Sequence, residues 1–428
     1  MSSSARIMCY VGVVLLVGLG IGVYRLRTRT PVAGQHVVQP PTADEAQVVA
    51  AYNQMALQLY AQLRRKPGNL VISPCSIGTA MAMVHSGARG ETASEMAKVL
   101  NQTLPREQMD AANAALLERL NRRGDGDACQ LSVANALCLT TGGQLVAQTY
   151  RDLLATHYSA EVFSGQNVTP INAWVAEKTE GKIDKILEGL SANSVCVLLN
   201  AIYFRGRWAS EFDKARTRPG GFYTAPDAVI SVPMMSQKAD YSLVAGEDFQ
   251  AISLPYKTQS LAMIVILPRE KMGLAKMEED LTLDSLQSTL KELRERPAHK
   301  VYLSLPRFRI EFGTSLIPAF KALGMKRAFS GEQADFGGIT GRTDDLGRLW
   351  IAQIQHKAFL EVNEEGTEAA AAAAIEFASK SEPGRFVADH PFLFLIVDTE
   401  TDAILFMGRV TNPHEGQPGP PQPYRRLR

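Results

Sequence analysis

The chain has 428 residues, of which 46% are hydrophobic, and its 45 basic and 44 acidic side chains leave a net charge of +1. The apolar fraction can supply a sizeable core, and no linker or repeat divides the middle of the chain, so we expect one large domain. The balanced charge gives no reason to expect binding to nucleic acid or to an anionic surface.

The N-terminus contains an apolar segment. Ile7 to Tyr24 is an uncharged stretch of eighteen residues, which is near the lower limit for crossing a bilayer and longer than most signal-peptide cores. No convincing small-x-small cleavage site follows it, which favours an uncleaved anchor. We therefore assign residues 1–29 to a membrane anchor or signal segment, and residues 30–43, which contain three prolines, to an extended tether.

The first half of the chain has helical patterns. The apolar residues that recur at helical spacing in its first segment are Val48, Val49, Tyr52, Met55, Leu59 and Leu63. Ser73 followed by Pro74 is typical of a helix cap with proline in the first turn.

Later segments have the pattern of buried strands. These apolar runs are Val195–Phe204, Leu261–Leu267, Val301–Leu305, Phe392–Val397 and Ile404–Met407. Continuous apolar runs indicate strands that are covered on both faces. Helices and strands that are segregated along the chain indicate the α+β class.

The sequence has no motif for catalysis or metal binding. It lacks G-x-S-x-G, H-E-x-x-H, a phosphate-binding loop and Cys/His spacing of the metal-binding type. We therefore predict that the protein is not an enzyme and that it needs no cofactor or metal. The five cysteines are an odd number, and Cys75, Cys138 and Cys196 lie in apolar stretches that indicate buried thiols rather than disulfides.

The segment from Glu364 to Ala374 combines charge with small side chains. It begins E-E-G-T-E and continues with six consecutive alanines. Since no bulky side chain occurs before Ile375, this segment could enter between two existing strands without steric conflict. From this window alone, an alanine-rich surface helix is the alternative.

Three C-terminal segments resemble the hallmarks of the serpin family, in the family's order and spacing. They are E-E-G-T-E-A-A-A-A at Glu364–Ala372, F-V-A-D-H-P-F at Phe386–Phe392 and L-F-M-G-R-V at Leu405–Val410. Segments at Asn69–Ile77, Ile171–Ile183 and Leu199–Trp208 resemble serpin sequences as well.

The resemblance covers about residues 44–413, which we assign to a serpin domain. It implies an α+β fold with three β-sheets, eight to nine helices and an exposed reactive-centre loop. Residues 414–428 carry four prolines and three arginines and are predicted to be a disordered tail.

The resemblance also implies the position of the reactive bond. In the family pattern the hinge glycine precedes the residue on the amino side of that bond by fourteen positions, which leads from Gly366 to Lys380. Counting back eleven positions from Pro391 gives the same lysine, so Lys380–Ser381 is the predicted bond. A lysine suits a protease with an acidic specificity pocket, because its ammonium pairs with the buried carboxylate there. A trypsin-like serine protease is therefore the predicted partner.

The predicted function is suicide-substrate inhibition. After cleavage, the loop from about Thr367 inserts into the central sheet and distorts the attached protease. The hinge comprises Glu364, Glu365, Gly366, Thr367, Glu368, Ala369, Ala370, Ala371 and Ala372. Three alternatives stay open: a non-inhibitory serpin that binds ligands or acts like a chaperone, an inhibitor of cysteine proteases, and cleavage after Phe377 or Arg385.

Two further sites follow from the resemblance. Four polar residues match the family's shutter, the group beneath the central strands that holds the sheet closed: Ser73, Ser76, Asn200 and His356. Trp208 matches the tryptophan of the breach, where the loop first enters, although a large aromatic residue there is also ordinary core.

The N-terminal segment suggests a location. We predict a monomer that is membrane-anchored or secreted, with the serpin domain outside the cytoplasm. Arg25, Arg27 and Arg29 outnumber Arg6, and the positive-inside rule would instead keep the domain inside. The orientation therefore stays open at the level of sequence.

Overall fold

The computed structural model describes residues 40–123, 128–140, 146–190, 196–258, 260–342, 349–367 and 384–415. Ten α-helices lie in this part of the chain: α1 (Ala43–Leu63), α2 (Pro74–Gly87), α3 (Gly90–Val99), α4 (Arg106–Arg123), α5 (Gln148–His157), α6 (Thr169–Lys178), α7 (Leu274–Asp280), α8 (Leu283–Glu295), α9 (Ile317–Ala322) and α10 (Gly337–Thr340).

The same residues form fifteen strands: β1 (Leu70–Ile72), β2 (Cys129–Leu139), β3 (Glu161–Ser164), β4 (Cys196–Arg207), β5 (Arg218–Ala225), β6 (Ala228–Ala245), β7 (Phe249–Pro255), β8 (Leu261–Pro268), β9 (His299–Pro306), β10 (Phe308–Ser315), β11 (Ile351–Val362), β12 (Gly366–Thr367), β13 (Gly384–Val387), β14 (Phe392–Asp398) and β15 (Ile404–Val410).

The first two helices begin at side-chain caps. Thr42 and Glu45 form a capping box at the start of α1. The Ser73 side chain accepts a hydrogen bond from the backbone N–H of Ser76, and Pro74 occupies the first turn of α2, as the sequence predicts. Every residue of α2 is buried, so this helix lies inside the domain.

The central sheet has six strands. Its order is β10-β11-β4-β2-β3, and the short strand β12 pairs with the end of β4. β4 pairs antiparallel with β2 and parallel with β11. β4 and β11 thus form a parallel pair in the middle of a mostly antiparallel sheet.

The second sheet has nine strands in the order β1-β15-β14-β8-β7-β6-β9-β13, with β5 beside β6. β6 is eighteen residues long: its first part pairs with β5 and β9, and its last four residues pair with β7. One long strand therefore joins two smaller sheets. Together with the central sheet they match the predicted three-sheet α+β fold, and the helix count of ten includes α10, which has four residues.

The two faces of β4 pack against different layers. Leu198, Ile202 and Phe204 belong to the main core cluster, which contains α2. Val197 and Leu199 belong to a smaller cluster with Ile171 of α6. Even-numbered residues of β4 therefore face the main core, and odd-numbered residues face α6.

The cysteines agree with the sequence prediction. Cys75, Cys129, Cys138 and Cys196 are all free and buried. Burial raises the pKa of each thiol, to about 12 for Cys75 and Cys196, so these side chains act as small apolar groups.

The predicted localisation, membrane-anchored or secreted with an extracytoplasmic domain, is contradicted. Within the described ranges, no helix is both long enough and apolar enough to span a bilayer. The apolar segment on which the prediction depended lies outside the described residues, as do residues 1–39 as a whole.

Candidate functional site

The candidate site lies where β4 and β11 meet, which we call the β4–β11 seam. The two strands pair in parallel from Cys196 opposite Ile351 up to Tyr203 opposite Phe359. Beyond this point β4 continues to Arg207, and β11 leads into a turn. The two strands thus separate at one end of the sheet.

The first residues of the predicted hinge fill this separation. Asn363 and Gly366 exchange backbone hydrogen bonds of 2.9 and 3.3 Å and close a tight turn after β11. Gly366 and Thr367 then form β12, which pairs antiparallel with Arg207 and Gly206 of β4. The hinge therefore begins as a short strand already paired with the sheet.

Glycine is required at the start of this short strand. Gly366 has a φ of +148°, and a Cβ atom there would lie 2.0 Å from the carbonyl oxygen of Gly206. No side chain fits at that distance. The close approach fixes the direction in which the chain leaves the turn.

Buried glutamates anchor the turn. The Glu364 carboxylate accepts a hydrogen bond of 2.7 Å from Nε of Arg307 and another from the Thr217 hydroxyl. Burial opposes the charge on Glu364, but these two partners lower the pKa of the carboxyl below its ordinary value. Glu365 pairs with Lys214, which is 58% exposed, so this second ion pair contributes little.

Trp208 lies directly against the same turn. Its indole N–H donates to the carbonyl of Asn363 at 3.0 Å, and its backbone N–H donates to the carbonyl of Glu365 at 3.0 Å. The indole also stacks on Tyr256, with ring centroids 4.7 Å apart. The predicted breach residue is thus a buried contact of the hinge.

The four predicted shutter residues form one buried network. Asn200 of β4 and His356 of β11 lie opposite each other, and His356 Nδ1 lies 2.6 Å from Asn200 Oδ1. The Asn200 amide group donates to the Ser76 hydroxyl, and the backbone N–H of Ser73 donates to His356 Nε2 at 3.4 Å. This network bridges the β4–β11 seam and connects it to the start of α2.

The network requires a neutral His356. Nε2 accepts from Ser73, so Nδ1 carries the proton and donates to Asn200. Full burial lowers the pKa of His356 to about 3, because a charged imidazole would lose its hydration without gaining a carboxylate partner.

Several site residues were not predicted from the sequence. Asn135 of β2 accepts a hydrogen bond from the Asn200 amide at 2.6 Å, and a lone amide within the apolar run of β2 is a signal that could have identified it. Arg307, Thr217 and Tyr256 also contact the hinge or Trp208, but they come from distant parts of the sequence and carry no local signal.

The other predicted site residues lie outside the described residues. These are Glu368 and Ala369–Ala372 of the hinge and both residues of the predicted reactive bond, Lys380 and Ser381. Within the described ranges, no group of three His, Cys, Asp or Glu side chains is arranged to hold a metal ion. The predicted absence of metals and cofactors stays a prediction.

Comparisons with known proteins agree with this geometry. The family model for serpin (serine protease inhibitor) matches residues 50–413. Antithrombin-III of Homo sapiens is 37% identical over 376 residues, which cover 83% of this chain and 79% of that protein.

Two solved structures are similar over most of their length. The thermophilic serpin tengpin in its native state has a TM-score of 0.77 and 26% identity, covering 85% of this chain and 94% of the other. Human thyroxine-binding globulin in complex with its ligand has a TM-score of 0.78 and 27% identity, covering 87% of this chain and all of the other. The chain therefore belongs to the serpin family.

Proposed function

We propose that the protein is a suicide-substrate inhibitor of trypsin-like serine proteases that acts by inserting its hinge between β4 and β11. The main support is β12: Gly366 and Thr367 already pair antiparallel with the end of β4, at the point where β4 and β11 separate. A strand that has begun to pair needs no new nucleus and can extend residue by residue along its template.

The register of this pair predicts how the inserted strand lies. Gly366 is opposite Arg207 and Thr367 is opposite Gly206, so an extension in register brings Ala373 opposite Asn200 and Phe377 opposite Cys196. Residues that are directly opposite in an antiparallel pair share a face. Thr367, Ala369, Ala371 and Ala373 would then face the main core, and Glu368 would face the same side as the half-buried Arg205.

This arrangement accounts for the composition of the hinge. The positions that would enter the core are threonine and alanine as far as Ala373 and then the apolar Ile375 and Phe377, while both glutamates of the inserted segment, Glu368 and Glu376, fall on the outer face. A charged side chain on the inner face would lose its hydration without a partner and would oppose insertion. The alternation therefore favours an inhibitor over a non-inhibitory serpin.

Insertion requires the shutter to open. An inserted strand would lie between Asn200 and His356 and would increase the spacing of their backbones from about 4.8 to about 9.6 Å, which breaks the 2.6 Å contact between their side chains. The network is buried and neutral. Its hydrogen bonds therefore hold the seam closed without the cost of burying a charged group.

The chemical step follows from the predicted bond. The serine hydroxyl of the protease attacks the Lys380 carbonyl, the amide bond to Ser381 breaks, and an ester links the protease to the inhibitor. Insertion of about fourteen residues at roughly 3.3 Å each then carries the ester on the order of 45 Å before water hydrolyses it. The lysine side chain favours proteases with a carboxylate in the specificity pocket.

The experiment is to incubate the full chain with trypsin, separate the products on a denaturing gel and sequence the released C-terminal fragment by mass spectrometry. We expect a stable adduct of higher mass and a fragment that begins at Ser381. A Lys380→Ala variant should form less adduct, and an Arg385→Ala variant should still give the adduct and the fragment that begins at Ser381.

Each other outcome has a distinct meaning. Cleavage with all trypsin activity retained would indicate a non-inhibitory serpin. A fragment that begins at Ala378 or Phe386 would move the reactive bond to Phe377 or Arg385. Adduct formation with papain in place of trypsin would indicate an inhibitor of cysteine proteases.

A further inference from the structure

We propose that Lys238, Tyr302 and Arg385 form a secondary docking surface for an acidic patch on the target protease, next to the bond that the protease cleaves. We call these three residues the cationic row. The inference rests on the proposed function and adds a feature of the partner that the reactive bond alone does not specify.

The three residues lie side by side on neighbouring strands. Lys238 of β6 is opposite Tyr302 of β9, and Tyr302 is opposite Arg385 of β13. Opposite residues point to the same face of a sheet. All three side chains are exposed, whereas the next residues along the strands, Gln237, Leu303 and Phe386, are buried.

Tyr302 is unusual for its exposure. It is 39% exposed, and within the described residues only Met272 is a comparably exposed large hydrophobic side chain. The Arg385 guanidinium lies over its ring, 5.8 Å from the centroid. Tyrosine and arginine are enriched among the residues that contribute most of the binding energy at protein interfaces.

Among the residues that the structure describes, no acidic side chain neutralises the charge of the row. Within the described residues, neither Lys238 nor Arg385 forms an ion pair with an acidic side chain. The adjacent row on the same face is neutral, because Lys300 pairs with Asp240 at 2.9 Å. Two uncompensated cations beside an exposed tyrosine favour a partner with clustered carboxylates.

The position of the row places it under a bound protease. Arg385 is four residues beyond Ser381, so it lies at most about 14 Å along the chain from that residue. A typical interface buries about 800 Å² on each partner, which corresponds to a disc with a radius of about 16 Å. A protease that binds the Lys380–Ser381 bond would therefore cover Arg385, and Tyr302 and Lys238, one and two strand spacings of about 4.8 Å further, would lie near the rim of that disc and within about one Debye length of it.

Charged residues at the edge of an interface act mainly on the rate of association and its salt dependence. The test uses two probes, native trypsin and trypsin whose lysines have been succinylated to make its surface more acidic. We expect the wild-type inhibitor to trap succinylated trypsin faster than native trypsin. The difference between the two rates should decrease as the salt concentration increases.

The variants are Lys238→Glu and Tyr302→Ala, which lie outside the reactive loop and leave the hinge intact. Each should lower the second-order rate of adduct formation with succinylated trypsin by about three- to tenfold. Lys66→Glu, an exposed lysine in the turn between α1 and β1, is the matched control and should keep the wild-type rate.

A second measurement separates this inference from the proposed function. Succinylated trypsin with its catalytic serine converted to dehydroalanine can dock but cannot form an ester, so its affinity reports docking alone. An affinity that depends on the row, without any adduct from active trypsin, would support the docking surface and refute suicide inhibition. Normal trapping at equal rates in all variants would refute the docking surface. Binding of heparin to the row would refute it as well if the variants changed neither the rate of adduct formation nor the affinity for the dehydroalanine form of succinylated trypsin.

Discussion

At the scale of single residues, His356 makes the stability of the protein depend on pH. Its pKa is lowered to about 3 by burial, below the ordinary 6.5 of an unfolded histidine. Between these values the unfolded chain binds the proton more readily, so the contribution of His356 to stability is complete above pH 6.5 and decreases as pH falls towards 3. Between pH 7.5 and pH 5.0 we expect a loss of about 2 kcal/mol from this group.

The measurement is the urea midpoint of the wild type and of His356→Gln at both pH values. The variant should lose less stability on acidification, because glutamine does not titrate. His299→Gln removes an exposed histidine and serves as the control, which should follow the wild type. Equal acid sensitivity in the wild type and His356→Gln would contradict the expectation.

Asn135 is the residue-scale test of the shutter network. Its side chain accepts from the buried Asn200 amide at 2.6 Å, and Asn135→Ala would leave that donor without this acceptor. We expect a loss of about 1–3 kcal/mol in the free energy of unfolding, measured by urea denaturation. Ser132→Ala, at a half-buried position of the same strand, should change stability by much less. Equal effects of the two substitutions would mean that the Asn135 contact is not important for stability.

At the scale of elements, the hinge tests the proposed register. Thr367→Arg would carry a charge into the core during insertion, whereas Glu368→Arg places the same side chain on the outer face next to Arg205. We expect Thr367→Arg to be cleaved as a substrate, with a stoichiometry of inhibition at least tenfold above wild type, and Glu368→Arg to remain an inhibitor. The stoichiometry is measured by titrating trypsin activity, and the opposite ranking of the two variants would show that the register is wrong.

Elements buried on both faces were predictable from the sequence. The apolar runs at Leu261–Leu267 and Phe392–Val397 end within one residue of β8 and β14, because continuous burial leaves a continuous apolar pattern. The eighteen-residue β6 was not predicted, since its partners change along its length and its burial alternates irregularly. Which strands join two sheets depends on long-range pairing that local composition does not encode.

Some residues of the candidate site were predictable from the sequence and others were not. Ser73, Asn200 and Trp208 were identified because they lie in segments that resemble the family, and the structure brings each of them to the β4–β11 seam or to the hinge. Arg307 was missed, because its contact with Glu364 connects positions 57 residues apart and an arginine between two strands is common on protein surfaces. A charge partner is a property of the tertiary structure.

At the scale of the whole molecule, the proposed mechanism predicts that cleavage increases stability. The seam between β4 and β11 has eight paired positions. An inserted strand replaces this one ladder with two, a net gain of about eight hydrogen bonds, or on the order of 8 kcal/mol at about 1 kcal/mol each. In the uncleaved chain the segment after Thr367 is connected to β13, so full insertion without cleavage would require β13 to leave the edge of the nine-stranded sheet.

Calorimetry before and after limited cleavage between residues 374 and 383 measures this gain. We expect the cleaved protein, with both fragments still associated, to melt well above the intact protein, because a gain of this size exceeds half the stability of a typical domain. Ala371→Pro is the control: proline removes a ladder hydrogen bond and does not fit within a central strand, so this variant should be cleaved without a comparable rise in melting temperature. An unchanged melting temperature in the cleaved wild type would mean that the hinge does not insert, whatever the protease.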